Sequence, residues 1–391
     1  MWTSRRLVLA CCAALLISPR VHAATLLVAG NGVDSPDCGG KTAPCRSISR
    51  AVALAGQGDT ILVGPGRYGD IDQSGTFIAP GDEAAEVGTG CNCMLHVTKR
   101  VTIVSRDGAG TTILDANGAT IDVVRIDAAA TIFGKKGQGF TLTGAKGAGN
   151  GLVTEAESVT IAGNIAFANS GNGIAISAGH AIVSDNRAVA NADGGIDCSG
   201  TNDSTFARNT VIGNGNVGLE ADNRNVLTDN LALDNVGPGI DAQSGNTLKG
   251  DVALGNGDRG IQLDDDNTVT ACVANANHNG INLAGHGNTV TKSAVLDNFG
   301  VGILVGDVGN TISKTNLFGN GMGVVNVPNA NFNCATLMSA AGALQATQNF
   351  WGAPTGPGLD PADAACNAIG GTTNLVPVAT KEIKVRPPAA H

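Results

Sequence analysis

Acidic residues recur at equivalent positions of a repeated segment in the middle of the chain. Some directly follow a glycine–aliphatic pair, and others stand two positions further on. They are Asp197, Glu220, Asp222, Asp241, Asp264 and Asp265. Carboxylates stacked on neighbouring repeats repel one another, so either a cation lies among them or some are protonated with a raised pKa. Two carboxylates can act as acid and base in glycoside hydrolysis, and several together suit Ca²⁺.

These residues define a candidate site for a sugar polymer and a cation. Asp241 and Asp264 are the candidate catalytic carboxylates. The candidate substrate-binding residues, at the same two positions of the repeat, are Asp197, Glu220, Asp222, Gln243 and Gln262. The candidate Ca²⁺ ligands are Asp222, Asp241, Asp264 and Asp265. The alternative is a hydrated acidic surface that binds no ligand and is screened by salt.

The repeat that positions these residues has a period of 20 to 23 residues. A glycine followed by an aliphatic residue recurs nine times from Gly151 to Gly323, and an asparagine keeps nearly the same period from Asn169 to Asn320. Short alternating segments such as Ile240-Asp241-Ala242 suit strands of about three to five residues. Helix-length amphipathic segments do not separate them, which excludes helical repeats.

We therefore predict an all-β fold, a right-handed parallel β-helix with three short strands in each coil. The glycine before the strand permits a tight turn, and the aligned asparagines can form a ladder along the axis. The acidic residues then form columns of side chains about 4.8 Å apart. The segment from Pro44 to Ala55 predicts an amphipathic helix over the N-terminal end, where it would cover unpaired strand edges.

The chain divides into four predicted regions. Arg5 and Arg6 precede an apolar run that ends near Ala23, which is the layout of a signal peptide. The regions are the signal peptide at 1–23, the N-terminal cap and first coils at 24–100, the β-helix and C-terminal cap at 101–376 with regular repeats at about 150–325, and a flexible tail at 377–391. This layout predicts a secreted or periplasmic protein without a membrane span.

Eight cysteines remain after removal of the first 23 residues, which fits an oxidising compartment. The expected disulfides are Cys38–Cys45 and Cys334–Cys366. Cys91 and Cys93 are two residues apart, so a bond between them would be strained, and cross-pairing with the first of these disulfides is an open alternative. Cys198 and Cys272 lie about three coils, or roughly 14 Å, apart, so we expect two buried thiols.

The charge and composition of the chain exclude several classes of partner. The formal net charge is −9, and it becomes about −12 when the first 23 residues, with three basic and no acidic side chains, are removed. Such a surface disfavours nucleic acid and anionic membranes. It also repels acidic polysaccharides unless a cation bridges the two. Aromatic residues make up 3% of the chain, so a broad platform for stacking on sugars is absent.

Three segments resemble the pectate-lyase-like parallel β-helix family. The run Pro44-Cys45-Arg46-Ser47-Ile48, Gly58-Asp59-Thr60-Ile61 and Pro65-Gly66-Arg67-Tyr68 looks like the family's N-terminal cap and first coil. The nine glycine–aliphatic coils look like its generic repeat, and Asn349-Phe350-Trp351-Gly352 with Gly356-Pro357 is similar to a motif near the end of many members. The resemblance covers about residues 26–360. It implies a fold rather than an activity, because the family includes lyases, hydrolases, epimerases and proteins without known chemistry.

The resemblance also adds a candidate catalytic base. Lyases of this fold use an arginine or lysine as the base on a Ca²⁺-bound uronate, and Arg224 stands two residues after Asp222. The alternative is a salt bridge between Arg224 and a neighbouring carboxylate. Two functions are therefore compatible with the sequence. One is a lyase- or hydrolase-like protein that binds or processes extracellular polysaccharide, and the other is a non-catalytic surface or periplasmic scaffold with an adhesive face.

Overall fold

A computed structural model describes residues 23–88, 90–321, 334–338, 342–359, 361–367 and 371–385. Within these residues, short strands stack in parallel into three long sheets of 14, 12 and 11 strands. We call them sheet A, sheet B and sheet C in that order. A regular coil contributes one strand to each sheet, so the predicted all-β parallel β-helix is confirmed. The predicted signal peptide, apart from Ala23, lies outside the described residues.

The N-terminal part holds a helix and the first irregular coils. Its elements are β1 (Thr25–Val28), α1 (Ile48–Leu54), β2 (Thr60–Val63), β3 (Gly66–Gly69), β4 (Cys93–Val97), β5 (Thr102–Ser105), β6 (Thr112–Asp115), β7 (Asp122–Ile126), β8 (Ile132–Phe133) and β9 (Thr141–Thr143). Helix α1 begins after Ser47, whose side chain accepts a hydrogen bond from the Arg50 N–H. It lies within the predicted helical segment, buries Ile48, Ala51 and Val52, and packs against β1, β2 and β4.

The regular coils run from β10 to β33. Their strands are β10 (Leu152–Thr154), β11 (Thr160–Ala162), β12 (Ile165–Phe167), β13 (Ile174–Ile176), β14 (Ile182–Ser184), β15 (Arg187–Val189), β16 (Ile196–Asp197), β17 (Thr205–Ala207), β18 (Thr210–Ile212), β19 (Leu219–Ala221), β20 (Val226–Thr228), β21 (Leu231–Leu233), β22 (Ile240–Ala242), β23 (Thr247–Lys249), β24 (Val252–Leu254), β25 (Arg259–Leu263), β26 (Thr268–Thr270), β27 (Val273–Asn275), β28 (Asn279–Leu283), β29 (Thr289–Thr291), β30 (Ala294–Leu296), β31 (Ile303–Val305), β32 (Thr311–Ser313) and β33 (Asn316–Phe318). None of the helices in the described ranges is long and apolar enough to cross a bilayer.

The C-terminal strands are β34 (Cys334–Met338), β35 (Gly342–Thr347), β36 (Ala364–Asn367) and β37 (Gly371–Asn374). Part of the predicted flexible tail is hydrogen-bonded to the end of the helix. The Ala379 N–H donates to the Asn349 carbonyl at 3.0 Å, and Ile383 exchanges two hydrogen bonds of 2.8 Å with the Asn316 side chain. The flexibility of this tail remains a prediction, and residues 386–391 lie outside the described part.

The three sheets differ in what they bury. A regular strand of sheet B buries its first and third residues, as Ile240 and Ala242 do in β22. A regular strand of sheet A or sheet C buries its middle residue, as Leu248 and Ala253 do. The inward residues of successive coils join into one continuous apolar core. Sheet B therefore points one column of mid-strand side chains outward, and the other two sheets point two columns outward.

The predicted asparagine ladder runs inside the helix from Asn169 to Asn320. At its centre, Asn214 Nδ2 donates to Asn235 Oδ1 at 2.9 Å and to the Ala188 carbonyl at 3.1 Å. The ladder ends where the N–H and Nδ2 of Asn320 both donate to Asp363 Oδ2, at 2.9 and 3.1 Å. Each buried amide thus has partners above and below, which avoids the cost of an unpaired polar group.

Two further columns of the same kind were not predicted. They consist of Asn164, Asn186, Asn209 and Asn230 in one column and Asn225, Asn246, Asn267, Asn288 and Asn310 in the other. The first of these two passes from Asn230 to Asp251. A hydrogen-bonded column therefore lies at each of the three turns of the regular coil.

The disulfide pairing agrees with part of the prediction. Cys38 bonds to Cys45, and Cys91 bonds to Cys93 rather than to that first pair. Cys366 is also disulfide-bonded, whereas the side chain of its expected partner, Cys334, lies outside the described part. Cys198 and Cys272 are unpaired and buried, as expected.

Candidate functional site

The outer surface of sheet B carries the predicted acidic residues in two adjacent columns. Asp197, Glu220 and Asp241 occupy the outward position of β16, β19 and β22. The strand register places Glu220 beside Asp241 and Asp241 beside Gln262. The second column follows two residues later, where each strand ends, and contains Asp222, Gln243 and Asp264. Stacking of coils thus brings together residues that are more than 20 positions apart in the chain.

Glu220 is a half-buried carboxyl group between two other acidic side chains. Burial and, to a smaller extent, the charges of Asp197 and Asp241 together raise its pKa to about 7. Among the described residues, none donates a hydrogen bond that would stabilise the ionised form. Glu220 is therefore partly protonated near neutral pH, which makes it suitable as a proton donor.

Asp241 lies one coil further along the same column. Burial and the charge of Asp264 raise its pKa, Arg259 lowers it, and the net value is about 6. Burial and the charge of Asp265 also raise the pKa of Asp264. Glu220 and Asp241 are therefore two adjacent carboxyl groups whose pKa values both lie above the ordinary range for a carboxyl group.

Arg259 provides a cation beside Asp241, whereas the sequence analysis selected Arg224 as the candidate base. It lies at the start of β25, two residues before the buried Ile261. Its Nη1 donates to the carboxylate of Asp258 at 2.9 Å, while its Nε is buried without a hydrogen-bond partner.

Hydrogen bonds fix the two flanks of the acidic column. On one side, Asn172 Nδ2 donates to Asp197 Oδ2 at 2.8 Å. On the other side, Asn282 Nδ2 donates to Gln262 Oε1 at 2.7 Å. A small cleft of about 70 Å³ opens between Asp197 and Glu220. Glu220 and Asp241 are thus the members of the column whose carboxyl groups have no hydrogen bond from the described residues.

The other predicted site residues lie in the turns towards sheet A. Arg224 donates to the Asp203 carboxylate through Nε at 3.1 Å and Nη2 at 2.9 Å. Arg224 thus forms the salt bridge that was the alternative to its role as a catalytic base. The Gly200 N–H donates to Asp222 Oδ2, and Asp222 Oδ1 is buried without a partner. The Asp265 carboxylate accepts from the backbone N–H of His286 at 2.9 Å and contacts its Nδ1 at 2.8 Å.

The predicted Ca²⁺ ligands do not converge on one point. Among the described residues, three groups place all their ligand atoms within 4.8 Å of one another. These groups are Cys91–Cys93–His96, Asp34–Cys38–Cys45 and Asp70–Asp72–Asp82. Asp222, Asp241, Asp264 and Asp265 belong to none of them, so the arrangement of these four side chains does not fit a protein-only Ca²⁺ site.

A second charged cluster lies at the N-terminal end of the same sheet surface. His96 and Arg125 are neighbours in register. His96 Nδ1 lies 3.0 Å from Glu86 and its Nε2 lies 2.7 Å from Asp127, which also accepts from Arg125 Nε at 2.8 Å. Burial lowers the pKa of His96, but the two carboxylates outweigh it and raise the pKa. Each charge in this cluster has a partner of opposite sign, unlike Glu220 and Asp241.

Comparison with known proteins confirms the fold. Residues 76–230, 130–275 and 217–318 match the family described as the right handed beta helix region. The A-module of the mannuronan C-5 epimerase AlgE6 from Azotobacter vinelandii is similar in structure, with a TM-score of 0.56 and 15% identity over 85% of this chain and 93% of that one. The A-module of AlgE4 from the same organism has a TM-score of 0.47 and 14% identity over 85% and 92%. No curated protein matches the chain by sequence.

Proposed function

This chain belongs to the right-handed β-helix family, and from that premise we propose that its sheet B surface binds and processes an extracellular polysaccharide. The Glu220–Asp241 pair carries the proposal, because two adjacent carboxyl groups with pKa values of about 7 and about 6 can donate and accept a proton near neutral pH. The epimerase named above acts on mannuronan according to its name, which supports a sugar polymer as the ligand. The groove-like, repeating surface of stacked coils suits an extended chain.

The chemistry that this pair supports best is hydrolysis of a glycosidic bond. Protonated Glu220 donates its proton to the glycosidic oxygen, and ionised Asp241 removes a proton from the attacking water or attacks the sugar itself. One water is added across the broken bond, and Glu220 is then reprotonated. Asp264 acts as a positioning residue, because its charge raises the pKa of Asp241. Arg224 is bound to Asp203, so the proposal gives it no part in proton transfer.

The charge of the surface favours a neutral polysaccharide. The two columns hold Asp197, Glu220, Asp222, Asp241 and Asp264, and among the described residues Arg259 is the cation whose charge acts on Asp241. A polyuronate would be repelled unless Ca²⁺ bridged it to the protein. The Ca²⁺ role therefore remains a prediction, and no step above depends on it. We propose that the protein acts in the periplasm or outside the cell, as the signal-peptide pattern predicts.

Turnover of a polysaccharide panel tests this proposal. The full chain is incubated with neutral and uronate polysaccharides, with Ca²⁺ or with a chelator, and both new reducing ends and unsaturated products are measured. We expect reducing ends from a neutral substrate, without a need for Ca²⁺, and a decline of turnover above about pH 7 as Glu220 ionises. Glu220→Gln and Asp241→Asn should each lower kcat about 100-fold or more.

Asp234→Asn is the matched control, because Asp234 is an exposed aspartate in a turn away from sheet B. Its turnover should equal that of the wild type. Unsaturated product that requires Ca²⁺ would replace hydrolysis with a lyase reaction. Absence of any product from a folded protein across a broad panel would favour the non-catalytic scaffold.

A further inference from the structure

A groove of about 690 Å³ lies on sheet C, on a different side of the helix from the acidic columns. Its floor is formed by outward side chains of β18, β21 and β24. These side chains are Thr210, Ile212, Leu231, Val252 and Leu254. The floor is therefore mainly aliphatic and contains no aromatic ring.

One long turn creates the end wall of this groove. Residues 134–140 connect β8 to β9, whereas Gly163 and Asn164 alone connect β11 to β12 in the next coil. The extra residues of the first turn carry Lys136 and Gly137 over the edge of sheet C, where both line the groove. Insertions in the turns of a regular scaffold are where binding residues commonly reside.

The rim of the groove carries an excess of positive charge. Lys136 Nζ and Arg208 Nη2 contact the Asp185 carboxylate at 3.2 and 2.7 Å. Asp229 also lines the groove. Arg187 lies in the outward column of sheet C and is exposed, and no residue in the described part of the chain forms an ion pair or hydrogen bond with its guanidinium. Three cations thus face two carboxylates, and Arg187 has its donors available for a ligand.

We propose that this groove binds an acidic saccharide, with a sugar carboxylate on Arg187 and the C–H face of the ring on the aliphatic floor. A guanidinium presents paired donors that match the two oxygens of a carboxylate. The acidic columns of sheet B repel such a sugar, so the two sheets select saccharides of different charge. The groove lies on a different sheet from Glu220 and Asp241, so this inference stands independently of the proposed catalysis.

Calorimetric binding of oligogalacturonate to the full chain tests the groove. A neutral oligosaccharide of equal length and decanoate are the comparison ligands. We expect oligogalacturonate alone to bind, with an affinity that falls as salt is raised. Arg187→Gln should weaken binding about tenfold or more, because a charge-assisted hydrogen bond is lost. Leu254→Asp, which adds a negative charge to the floor, should weaken it at least as much.

Two control variants separate this groove from other charged sites. Arg106→Gln removes an exposed arginine that pairs with Asp107 away from the groove, and it should bind oligogalacturonate like the wild type. Glu220→Gln should also bind like the wild type, even if it has lost turnover. Equal binding of the neutral oligosaccharide, preferential binding of decanoate, or an Arg187→Gln variant with unchanged affinity would overturn the inference, provided that thermal unfolding shows each variant to be folded.

Discussion

An interior column and an exterior column of polar side chains both repeat once per coil in this protein. The interior column is the asparagine ladder, in which Asn214 accepts from Asn191 and donates to Asn235. The exterior column contains Glu220 and Asp241, which accept but cannot donate when ionised. The same spacing between coils therefore lets stacked amides hydrogen-bond to one another, whereas stacked carboxylates repel one another. Stacked amides stabilise the fold, whereas stacked carboxylates acquire the pKa values of proton-transfer groups.

Asp251 is an intermediate case, because it places a carboxyl group inside a column of asparagines. It is fully buried, and its Oδ1 accepts from the N–H and the Nδ2 of Asn230, both at 2.8 Å. Burial nevertheless raises its pKa to about 7, against the effect of these hydrogen bonds. A carboxyl group at this position of the column thus forms the same hydrogen bonds as an asparagine, but its ionisation costs free energy because it is buried.

The largest effect should come from breaking the interior column. Asn235→Ala removes hydrogen bonds to Asn214, Asn256 and the Val211 carbonyl and leaves buried polar groups unpaired. We expect the free energy of unfolding to fall by about 3 kcal/mol, measured by urea denaturation. Asn216→Ala, at an exposed asparagine bound to Asp193, should cost less than about 0.5 kcal/mol. Equal losses in the two variants would contradict a special role for the ladder.

A smaller effect should come from completing the interrupted column. Asp251 has a folded pKa of about 7 and an unfolded value near 3.9, so its contribution to stability is full below about pH 4 and is lost as the pH rises through 7. Asp251→Asn removes this loss. Its free energy of unfolding should exceed that of the wild type by at least about 1 kcal/mol at pH 8 and by almost nothing at pH 4.

Two matched substitutions check this result by the same pH-dependent urea titration. Asn209→Asp places a carboxyl group at an equivalent buried position of the column and should introduce the pH dependence that Asp251→Asn removes. Asp266→Asn, at an exposed turn aspartate, should change neither the stability nor its pH dependence. A gain at pH 4 as large as that at pH 8 would show that ionisation is not the cause.

The smallest effect on stability should come from neutralising the exterior column. The folded pKa of Glu220 is also raised, so its contribution to stability is lost as the pH rises towards about 7. Glu220→Gln should raise the free energy of unfolding at pH 8 by at most about 1 kcal/mol, because a partly exposed charge is screened by solvent. Glu157→Gln, at an exposed turn glutamate, is the control and should have no effect. A gain of several kcal/mol in the free energy of unfolding would contradict this expectation, because it would require Glu220 to be far more buried.

The features that the sequence predicted are ones that repeat once per coil. The glycine–aliphatic period predicted the coil, the 169–320 asparagines predicted one ladder, and the phase of Asp197, Glu220 and Asp241 predicted their column. One further ladder is interrupted by Asp251 and then Cys272, which hides its period, whereas the ladder from Asn225 to Asn310 was missed although its asparagines are uninterrupted. Periodicity is thus a strong signal for positions that the fold uses once per coil.

Features that arise once in the molecule were not predictable in this way. Glu86 and Asp127 reach His96 across 10 and 31 residues of irregular coils that follow no period. The pKa values of Glu220 and Asp241 depend on burial and on neighbours from other coils. Arg224 adopts a φ of 56° in its turn, and its side chain pairs with Asp203 of the preceding coil. The burial of a side chain, the conformation of its turn and its contacts with distant residues depend on the folded chain, so a repeat pattern does not reveal them.

The hydrogen bonds between the side chains of the interior ladder all run in one direction, and the ladder ends at a carboxyl group. Each asparagine donates to the asparagine of the next coil and to a carbonyl of the preceding coil, as Asn214 does, and the last acceptor is the carboxyl group of Asp363, which has no amide hydrogen. If the ladder ended on another asparagine, the last coil would expose an unpaired side-chain amide. The same group binds the next coil elsewhere in the ladder. A second molecule could then dock end to end and begin a fibre. Because Asp363 has no side-chain amide, it does not offer a second molecule the donor with which each asparagine of the ladder binds the next coil.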